Sequence, residues 1–394
     1  GINQDYNISV SGMAKKTNYY FSIGYLDNKG LAKGDKYSAV RSNMKINTDV
    51  TDWLSIGANV NFQNRTDGDI ATDWREQILD NSPYSFPYDE NGNLVAHPMG
   101  EQAYWKGYNF DYDRQYLDME RGYTIFNTIL DAKIKLPFGI TYTFNAAPRF
   151  QFYHNRYYQS SEHPDWQAED HDRVTRDQSY RFDWSLNNTI NWDYTFNKVH
   201  HVNLTLVQES EQRQSWADEI QARNILPSEA LGLHATANGD KNLSDFSSTD
   251  TKESAVGYLA RAFYSYDDRY MGTFSFRRDG YSAFGTTNPY ANFFSGALAW
   301  TFINEKFFKW KPMSYGKLRF SYGQNGNRSL ADSYIALANL SLGNYTQGYI
   351  NSASGALEDV KYLFVSRLAN PHLQWEKTTS WNVGIDFGFL DNRI

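Results

Sequence analysis

Flat aromatic side chains stand inside polar stretches of this sequence, where they could bind a ligand by stacking. Three of them lie in the segment 68–120, and the other two lie in the segments 154–178 and 214–250. Aromatic rings offer a large apolar surface, which suits the apolar faces of sugar rings, and neighbouring Asp, Asn and Arg side chains can bind hydroxyl groups. The predicted ligand-binding residues are Tyr104, Trp105, Tyr108, Trp166 and Trp216. The alternative is that these residues pack the loops together or contact a partner protein.

Acidic side chains and histidines form the other candidate clusters, and none has the spacing of a known site. The segment 163–173 is rich in Asp and His but lacks the ligand spacing of zinc or calcium sites. DENGN at 89–93 resembles the start of a calcium loop, but the twelfth position from Asp89 is Gly100. Asp111 and Asp113 resemble a glycosidase pair only in composition. We therefore predict no catalytic residue, no metal site and no cofactor, and a protein that is not an enzyme.

The composition limits the class of protein. The chain has 394 residues, a mean hydropathy of -0.67, 17% aromatic residues and no cysteine, which excludes disulfides and thiolate chemistry. The net charge of -7 argues against a nucleic-acid partner. No stretch approaches the roughly 18 consecutive apolar residues of a membrane helix. This criterion does not detect β-strands that cross a membrane. Their inward-facing polar residues cancel their outward-facing apolar residues in any average of hydropathy over a window.

A period of two residues runs through most of the chain and predicts β-strands. In 181–196 the positions from Phe182 to Phe196 with even numbers are bulky and apolar, apart from Asn188, and the odd positions are all polar or small. About thirteen such strands can be counted, many of ten or more residues. Strands in soluble proteins are usually about 5–6 residues long, whereas a tilted strand needs about 9–11 to cross a bilayer. Length therefore favours lipid against the apolar face.

The connections alternate between short and long, as in an antiparallel up-and-down transmembrane barrel. We predict long external loops at 68–120, 154–178, 214–250, 279–290 and 327–372. The short turns then place aromatic side chains at the opposite rim, including Trp53, Phe138, Phe196 and the group at 307–310. Polar positions would line the interior, with Arg41, Lys45, Asp131, Asp183 and Arg261 as examples.

Backbone hydrogen bonding requires a sheet in lipid to close. Thirteen strands that start and end within the pattern leave two unpaired edges, so we expect this chain, residues 1–394, to be part of a larger barrel. The beginning of the sequence shows no signal peptide.

Several segments resemble, in order, the SusC/RagA family of TonB-dependent outer-membrane transporters. They are YNISVSGMAKKTNYYFSIGYLDNKG (6–30), VTDWLSIGANVNF (50–62), GYLARAFYSYDDRYMGTFSFRRDGYSAFG (257–285), FFSGALAWTFINEKFF (293–308), LRFSYGQNGN (318–327) and NPHLQWEKTTSWNVGIDFGFLDNRI (370–394). The resemblance implies a twenty-two-stranded barrel with an N-terminal plug, in the bacterial outer membrane, energised through TonB. It also implies a SusD-like lipoprotein partner and a glycan or, in some relatives, a peptide ligand. The plug and the TonB-contacting segment have no counterpart in these residues.

Three functions stay open at this point. The first is TonB-dependent uptake of a bulky polar nutrient, foremost an oligosaccharide. The second is a passive porin or structural barrel. The third is a soluble glycan-binding β-sandwich or propeller, which requires a second layer of the chain to bury the apolar face.

Overall fold

Thirteen antiparallel strands form one sheet in the computed structural model, which describes residues 1–68, 70–167, 172–226, 230–330, 332–351 and 355–390. The strands are β1 (Ile2–Ala14), β2 (Thr17–Lys29), β3 (Lys36–Asp49), β4 (Leu54–Thr66), β5 (Leu117–Lys135), β6 (Ile140–Gln159), β7 (Arg173–Phe196), β8 (His200–Arg223), β9 (Asp245–Tyr266), β10 (Tyr270–Tyr281), β11 (Tyr290–Trp300), β12 (Met313–Asn327), β13 (Asn339–Ile350), β14 (Leu357–Arg367) and β15 (Glu376–Phe389). β13 and β14 pair only with each other, and the helices are α1 (Trp74–Leu79) and α2 (Phe110–Asp113).

Every strand of the large sheet pairs with its neighbour along the chain, from β1 to β12 and then β15. The prediction of an antiparallel up-and-down sheet is confirmed. β7 and β8 each have 24 residues, well above the length of strands in soluble domains. No helix among the residues seen here is long and apolar enough to cross a membrane.

The connections separate the two ends of the sheet. The end with turns such as 15–16, 136–139 and 197–199 is called the short-turn end. The other, the long-loop end, carries the first long loop (67–116) and the second long loop (160–172). It also carries the connections 224–244, 282–289 and 328–375, the last of which contains the β13–β14 hairpin.

Strands extend further into the predicted loops than the sequence pattern suggested. β8 continues to Arg223, so Trp216 lies in a strand and its placement in a loop was wrong. The reason is that Gln212 and Gln214 occupy even-numbered positions of β8, which hold apolar residues nearer the short-turn end. The hydrophobic period therefore disappears while the pairing with β7 and β9 continues.

The two faces of the sheet differ as the alternation predicts. One face, the apolar face, carries the even-numbered residues of β7 and β8, and the opposite face is the polar face. Large side chains of the apolar face stay open, with Leu206 53% and Leu298 65% exposed. Within the described ranges no second layer of the chain covers this face, because all the strands but the β13–β14 hairpin belong to the one sheet. The sandwich alternative is therefore not supported.

Asn188, the polar exception on the apolar face, is part of a chain of hydrogen bonds. The Tyr142 hydroxyl donates to Asn188 Oδ1 (2.7 Å), and Asn188 Nδ2 donates to Gln208 Oε1 (2.6 Å). Gln208 Nε2 in turn donates to Ser210 Oγ (2.7 Å). The polar group thus satisfies its hydrogen bonds within the sheet, which lowers the cost of an apolar environment.

Aromatic side chains surround the short-turn end. Trp53, Phe138 and Phe196 lie in or beside its turns and are exposed, as are Phe307 and Trp310 in the connection from β11 to β12. Exposed aromatic side chains at the end of a sheet are typical of a membrane–water boundary.

Candidate functional site

The first and second long loops meet at a buried histidine. His163 is only 2% exposed, and its Nε2 lies 2.9 Å from Asp113 Oδ1. Because its Nδ1 accepts the backbone N–H of Asp165 (3.1 Å), Nε2 carries the proton and donates to Asp113. The contact joins two loops that are 50 residues apart in sequence.

Aromatic rings enclose this histidine. Trp166 stacks on the His163 ring with 3.9 Å between centroids, and Tyr112 and Tyr116 meet it edge-on at 5.4 and 5.1 Å. Pro164 starts the short 3-10 turn 164–166 that brings Trp166 back over His163. The hydrogen bond with Tyr116 and burial raise the pKa of Tyr112 to about 12, so the Tyr112 hydroxyl stays neutral.

A second histidine also joins the two loops. His97 of the first loop lies between Glu101 and Asp165, with 2.7 Å from Nε2 to Asp165 Oδ2. Burial alone would lower the pKa of the His97 imidazole, but the hydrogen bonds to both carboxylates outweigh it and raise that pKa. A protonated His97 therefore strengthens the contact between the loops.

The joined loops form a pocket of about 280 Å³, called the loop pocket. Its lining includes Tyr108, Asn109, Asp113, Asp165 and Trp166. The structure thus brings together two of the five predicted ligand residues, Tyr108 and Trp166. Aromatic rings and carboxylate oxygens in one pocket can together bind a ring that carries hydroxyl groups.

Tyr104 and Trp105 lie outside the lining of the loop pocket, in the turn that leads to it. Their rings meet edge-on at 5.7 Å, and the side chains are 94% and 71% exposed. The turn is closed by Met99 N–H donating to Lys106 O (2.9 Å), just before Gly107, which lines the pocket. These two rings are therefore open to a ligand or to a partner, and the packing alternative does not describe them.

Trp216 is separated from the other four candidates. It stands on the apolar face opposite Tyr180, with 5.3 Å between ring centroids, and Tyr180 meets Phe152 at 4.8 Å. This row of aromatics resembles the one at the short-turn end. Its position fits a membrane boundary better than a ligand site.

The acidic candidates serve the backbone and the loop contacts. Asp172 accepts the N–H groups of Asn224 (2.9 Å) and Ile225 (2.6 Å), and Asp111 pairs with Lys33 (2.8 Å). Asp89 accepts the N–H groups of Asn91 (2.9 Å) and Asn93 (2.8 Å), so the segment 89–93 forms a turn. Asp170 and His171 lie outside the described residues, and the residues that are described contain no group of three or more side chains able to hold a metal.

A larger pocket of about 750 Å³, called the wall pocket, lies on the polar face of β7 to β12, from the middle of β7 and β8 to the long-loop end of β10 to β12. Arg277 Nη2 donates to Glu209 Oε2 (2.6 Å), and its Nε donates to both oxygens of Asp279 (2.8 Å each). Arg328 pairs with Glu211 at 2.5 Å. Among the charged residues of this lining, only Arg261 was predicted to face the interior, because of its polar parity. The partners of Arg277 and Arg328 depend on strand register and loop path, which the local pattern does not specify.

The chain is similar to known proteins in both sequence and structure. No protein-family model matches the chain. The TonB-dependent receptor P39 of Formosa agariphila is 27% identical over 412 residues, which cover 100% of this chain. The TonB-dependent receptor SusC of Bacteroides thetaiotaomicron is 36% identical over 157 residues, 39% of this chain and 15% of SusC. The structure of the RagAB peptide transporter matches 99% of this chain and 43% of its own with a TM-score of 0.83, at 21% identity. The chain is thus similar over its whole length to a TonB-dependent receptor and over part of its length to SusC, and its fold is that of part of the RagAB barrel.

The relatives that this chain matches are longer than the chain itself. The chain spans 36% of the length of the Formosa receptor. The ferric citrate transporter FecA in its unliganded form has the same fold at greater distance, with a TM-score of 0.52 and 9% identity. The loop pocket lies at the long-loop end of the sheet, and the wall pocket extends toward that end from the middle of β7 and β8.

Proposed function

We propose that the protein to which this barrel part belongs imports a bulky polar nutrient, foremost an oligosaccharide, across the bacterial outer membrane. In this proposal the apolar face contacts lipid as a multi-pass barrel, the long loops are external, and TonB supplies the energy. The observation that carries it is the loop pocket, where Tyr108 and Trp166 line one space with the carboxylates of Asp113 and Asp165. Sugars suit such a site because rings stack on their apolar faces while carboxylates accept their hydroxyl protons.

The comparisons support the class of transport and leave two kinds of ligand. A TonB-dependent receptor named SusC is among the relatives, and RagAB is named a peptide transporter. We therefore keep a peptide as the alternative cargo. TonB would act through a plug region that these residues do not include.

We also propose a SusD-like surface lipoprotein as partner at the long-loop end. The β13–β14 hairpin supports this partner, because Leu340 and Leu342 lie across from Val365 and Leu363 on one face and all four are exposed. A two-stranded hairpin is marginally stable in water unless something packs on it. Arg367 fixes its base through an ion pair with Asp332 (2.7 Å).

Uptake by cells that carry the full-length gene tests the proposal. Import of a labelled oligosaccharide should require both the gene and TonB, and Trp105→Ala should reduce it while barrel yield stays normal. Uptake that continues without TonB would favour the passive porin. Uptake of labelled peptides alone would replace the glycan as cargo.

A further inference from the structure

The connection from β11 to β12 carries a cluster of positive charge at the short-turn end. Its residues 301–312, called the basic segment, contain three lysines and a single carboxylate, that of Glu305, in a chain whose net charge is -7. The lysines are Lys306, Lys309 and Lys311. All three are exposed, and they form no ion pair with any residue that the structure describes. The segment therefore presents unneutralised cations on a protein that is acidic overall.

The start of the basic segment folds back over the apolar face. The Phe302 ring lies over Gly316 of β12, where a Cβ would come within 2.5 Å of two atoms of that ring. Gly316 stands two residues before Leu318, which pairs with Trp300, and all three belong to the apolar face. The glycine lets the ring approach the backbone of the strand closely. The segment therefore lies on the side of the sheet that carries the exposed apolar residues.

Two exposed rings of the basic segment continue the apolar face past the ends of the strands. The Phe307 ring meets Trp300 with 6.4 Å between centroids, and the Trp310 ring meets Phe389 of β15 edge-on at 5.8 Å. Phe307 is 69% exposed and Trp310 56% exposed. Each of the three lysines is next to one of these rings in sequence. Cations and apolar rings thus share one short segment at the edge of the apolar face.

The carboxylate of the basic segment is held by the barrel wall. Trp300 Nε1 donates to Glu305 Oε1 (3.1 Å), and the Tyr270 hydroxyl donates to the same oxygen. Arg269 Nη1 lies 3.5 Å from Glu305 Oε2. Glu305 therefore fixes the start of the segment to β11 and the turn before β10. It leaves the lysines as the charges available to a ligand.

We propose that residues 306–311 bind the headgroup of an anionic phospholipid in the leaflet at the short-turn end. The inference rests on the proposed function in one respect, that the apolar face contacts lipid. Phe307 and Trp310 lie at the boundary of membrane and water, where aromatic side chains are favoured. The lysine stems cover apolar surface while their ammonium groups reach the phosphates. Basic segments beside a bilayer are attracted to anionic lipids in this way.

The charge of the headgroup decides which lipid fits. Phosphatidylglycerol has a phosphate and no cation, so its negative charge complements the three lysines. Phosphatidylcholine has the same phosphate with a quaternary ammonium beside it, which cancels that charge. An acidic protein would complement the lysines, but it would not match two apolar rings that continue a lipid-facing surface.

Native mass spectrometry of the full-length transporter in a non-ionic detergent tests the proposal. The wild type should retain dioleoylphosphatidylglycerol in preference to dioleoylphosphatidylcholine supplied at the same concentration. The triple variant Lys306→Gln, Lys309→Gln, Lys311→Gln should bind phosphatidylglycerol about tenfold more weakly or worse, with phosphatidylcholine binding unchanged. Arginine at the same three positions should keep the preference, because a guanidinium also pairs with phosphate.

A second triple variant with the same loss of charge is the matched control. It replaces exposed lysines toward the long-loop end with glutamine, at Lys29, Lys241 and Lys361. It should bind both lipids as the wild type does. Heat-modifiable gel mobility of each variant establishes that the barrel is folded.

Three results would overturn the proposal. They are equal retention of the two lipids by the wild type, undiminished phosphatidylglycerol binding by the first triple variant, or displacement of the lipid by an equal concentration of inorganic phosphate. The last result would assign the lysines to a free anion. Spin labels at positions 190–193 of β7 report separately on lipid contact with the apolar face. If those labels show lipid contact while the lipid preference is missing, the headgroup site alone fails and the proposed function stands.

Discussion

Arg277 on β10 reaches across β9 to Glu209 on β8, with 2.6 Å from Nη2 to Oε2, in the space that Gly257 leaves open. The pair is 68 residues apart in sequence and links strands that do not pair with each other. A glycine in a strand interior usually weakens the strand, and here it makes room for a contact between side chains.

Gly257→Leu should separate this pair. A leucine side chain fills the gap between Arg277 and Glu209, while Asp279 on the same strand stays beside Arg277. Arg277→Gln should therefore cost roughly 0.5–1 kcal/mol in the wild type and less in the Gly257→Leu background. The free energy of unfolding from vesicles, measured for the four proteins of this cycle, checks the coupling. An undiminished effect of Arg277→Gln in the leucine background would contradict it.

Contact between the first and second long loops should weaken as the pH rises. The pKa of His97 is raised in the folded protein by Glu101 and Asp165. Its contribution is therefore fully present below the ordinary value of about 6.5 and is lost as the pH rises through the raised folded value. Lys106 also pairs with Glu101, with 3.3 Å between Nζ and Oε2.

Spin labels on Gln102→Cys and Gln167→Cys can measure this, since the chain has no native cysteine. The distance distribution should be narrow at low pH and broaden as the pH rises, and His97→Gln should remove the pH dependence. A distribution that does not change with pH in the protein with His97 would exclude His97 as the pH-sensitive contact.

Trp105→Ala should weaken oligosaccharide binding without lowering barrel yield. Its ring is exposed in the turn beside the loop pocket, and losing an aromatic contact of this kind costs about threefold to tenfold in affinity. Tyr84→Ala is the matched control, because Tyr84 is an exposed aromatic of the same loop that lies outside the turn between Met99 and Lys106. Equal losses in the two variants would remove Trp105 from the site.

Leu186→Arg should destabilise the barrel far more than Asn187→Arg. Leu186 lies on the apolar face of β7 and Asn187 on the polar face. A cation placed against lipid costs about 2–4 kcal/mol near mid-membrane, whereas one more cation on the polar face is solvated. Folding titrations in lipid vesicles measure both, and similar costs would reverse the assignment of the faces.

The strand order and the two faces could be predicted because each depends on local periodicity. The alternation in 181–196 assigns Trp192 and Ile190 to the correct, apolar face of the sheet. The antiparallel order of the strands follows from the short turns that join them. The ends of the strands were less predictable, since beyond Ser210 both faces of β8 are largely polar and backbone pairing alone maintains the strand.

The candidate site was only partly predictable for a different reason. Aromatic residues in polar segments identified Tyr108 and Trp166, which line the loop pocket. The partner of His163 is 50 residues away and depends on how two loops fold against each other. No spacing rule gives such a contact, and the same holds for the pairing of Arg277 with Glu209.

Lipid contact with the apolar face is the claim on which the transport proposal depends, and single spin labels along β7 test it directly. Labels at positions 190, 191, 192 and 193 of the protein in vesicles should alternate. Those replacing Ile190 and Trp192 should be accessible to oxygen dissolved in the bilayer, and those replacing Asn191 and Asp193 to a water-soluble nickel complex. Equal accessibility at all four positions, or labels at 190 and 192 shielded from oxygen, would contradict the account.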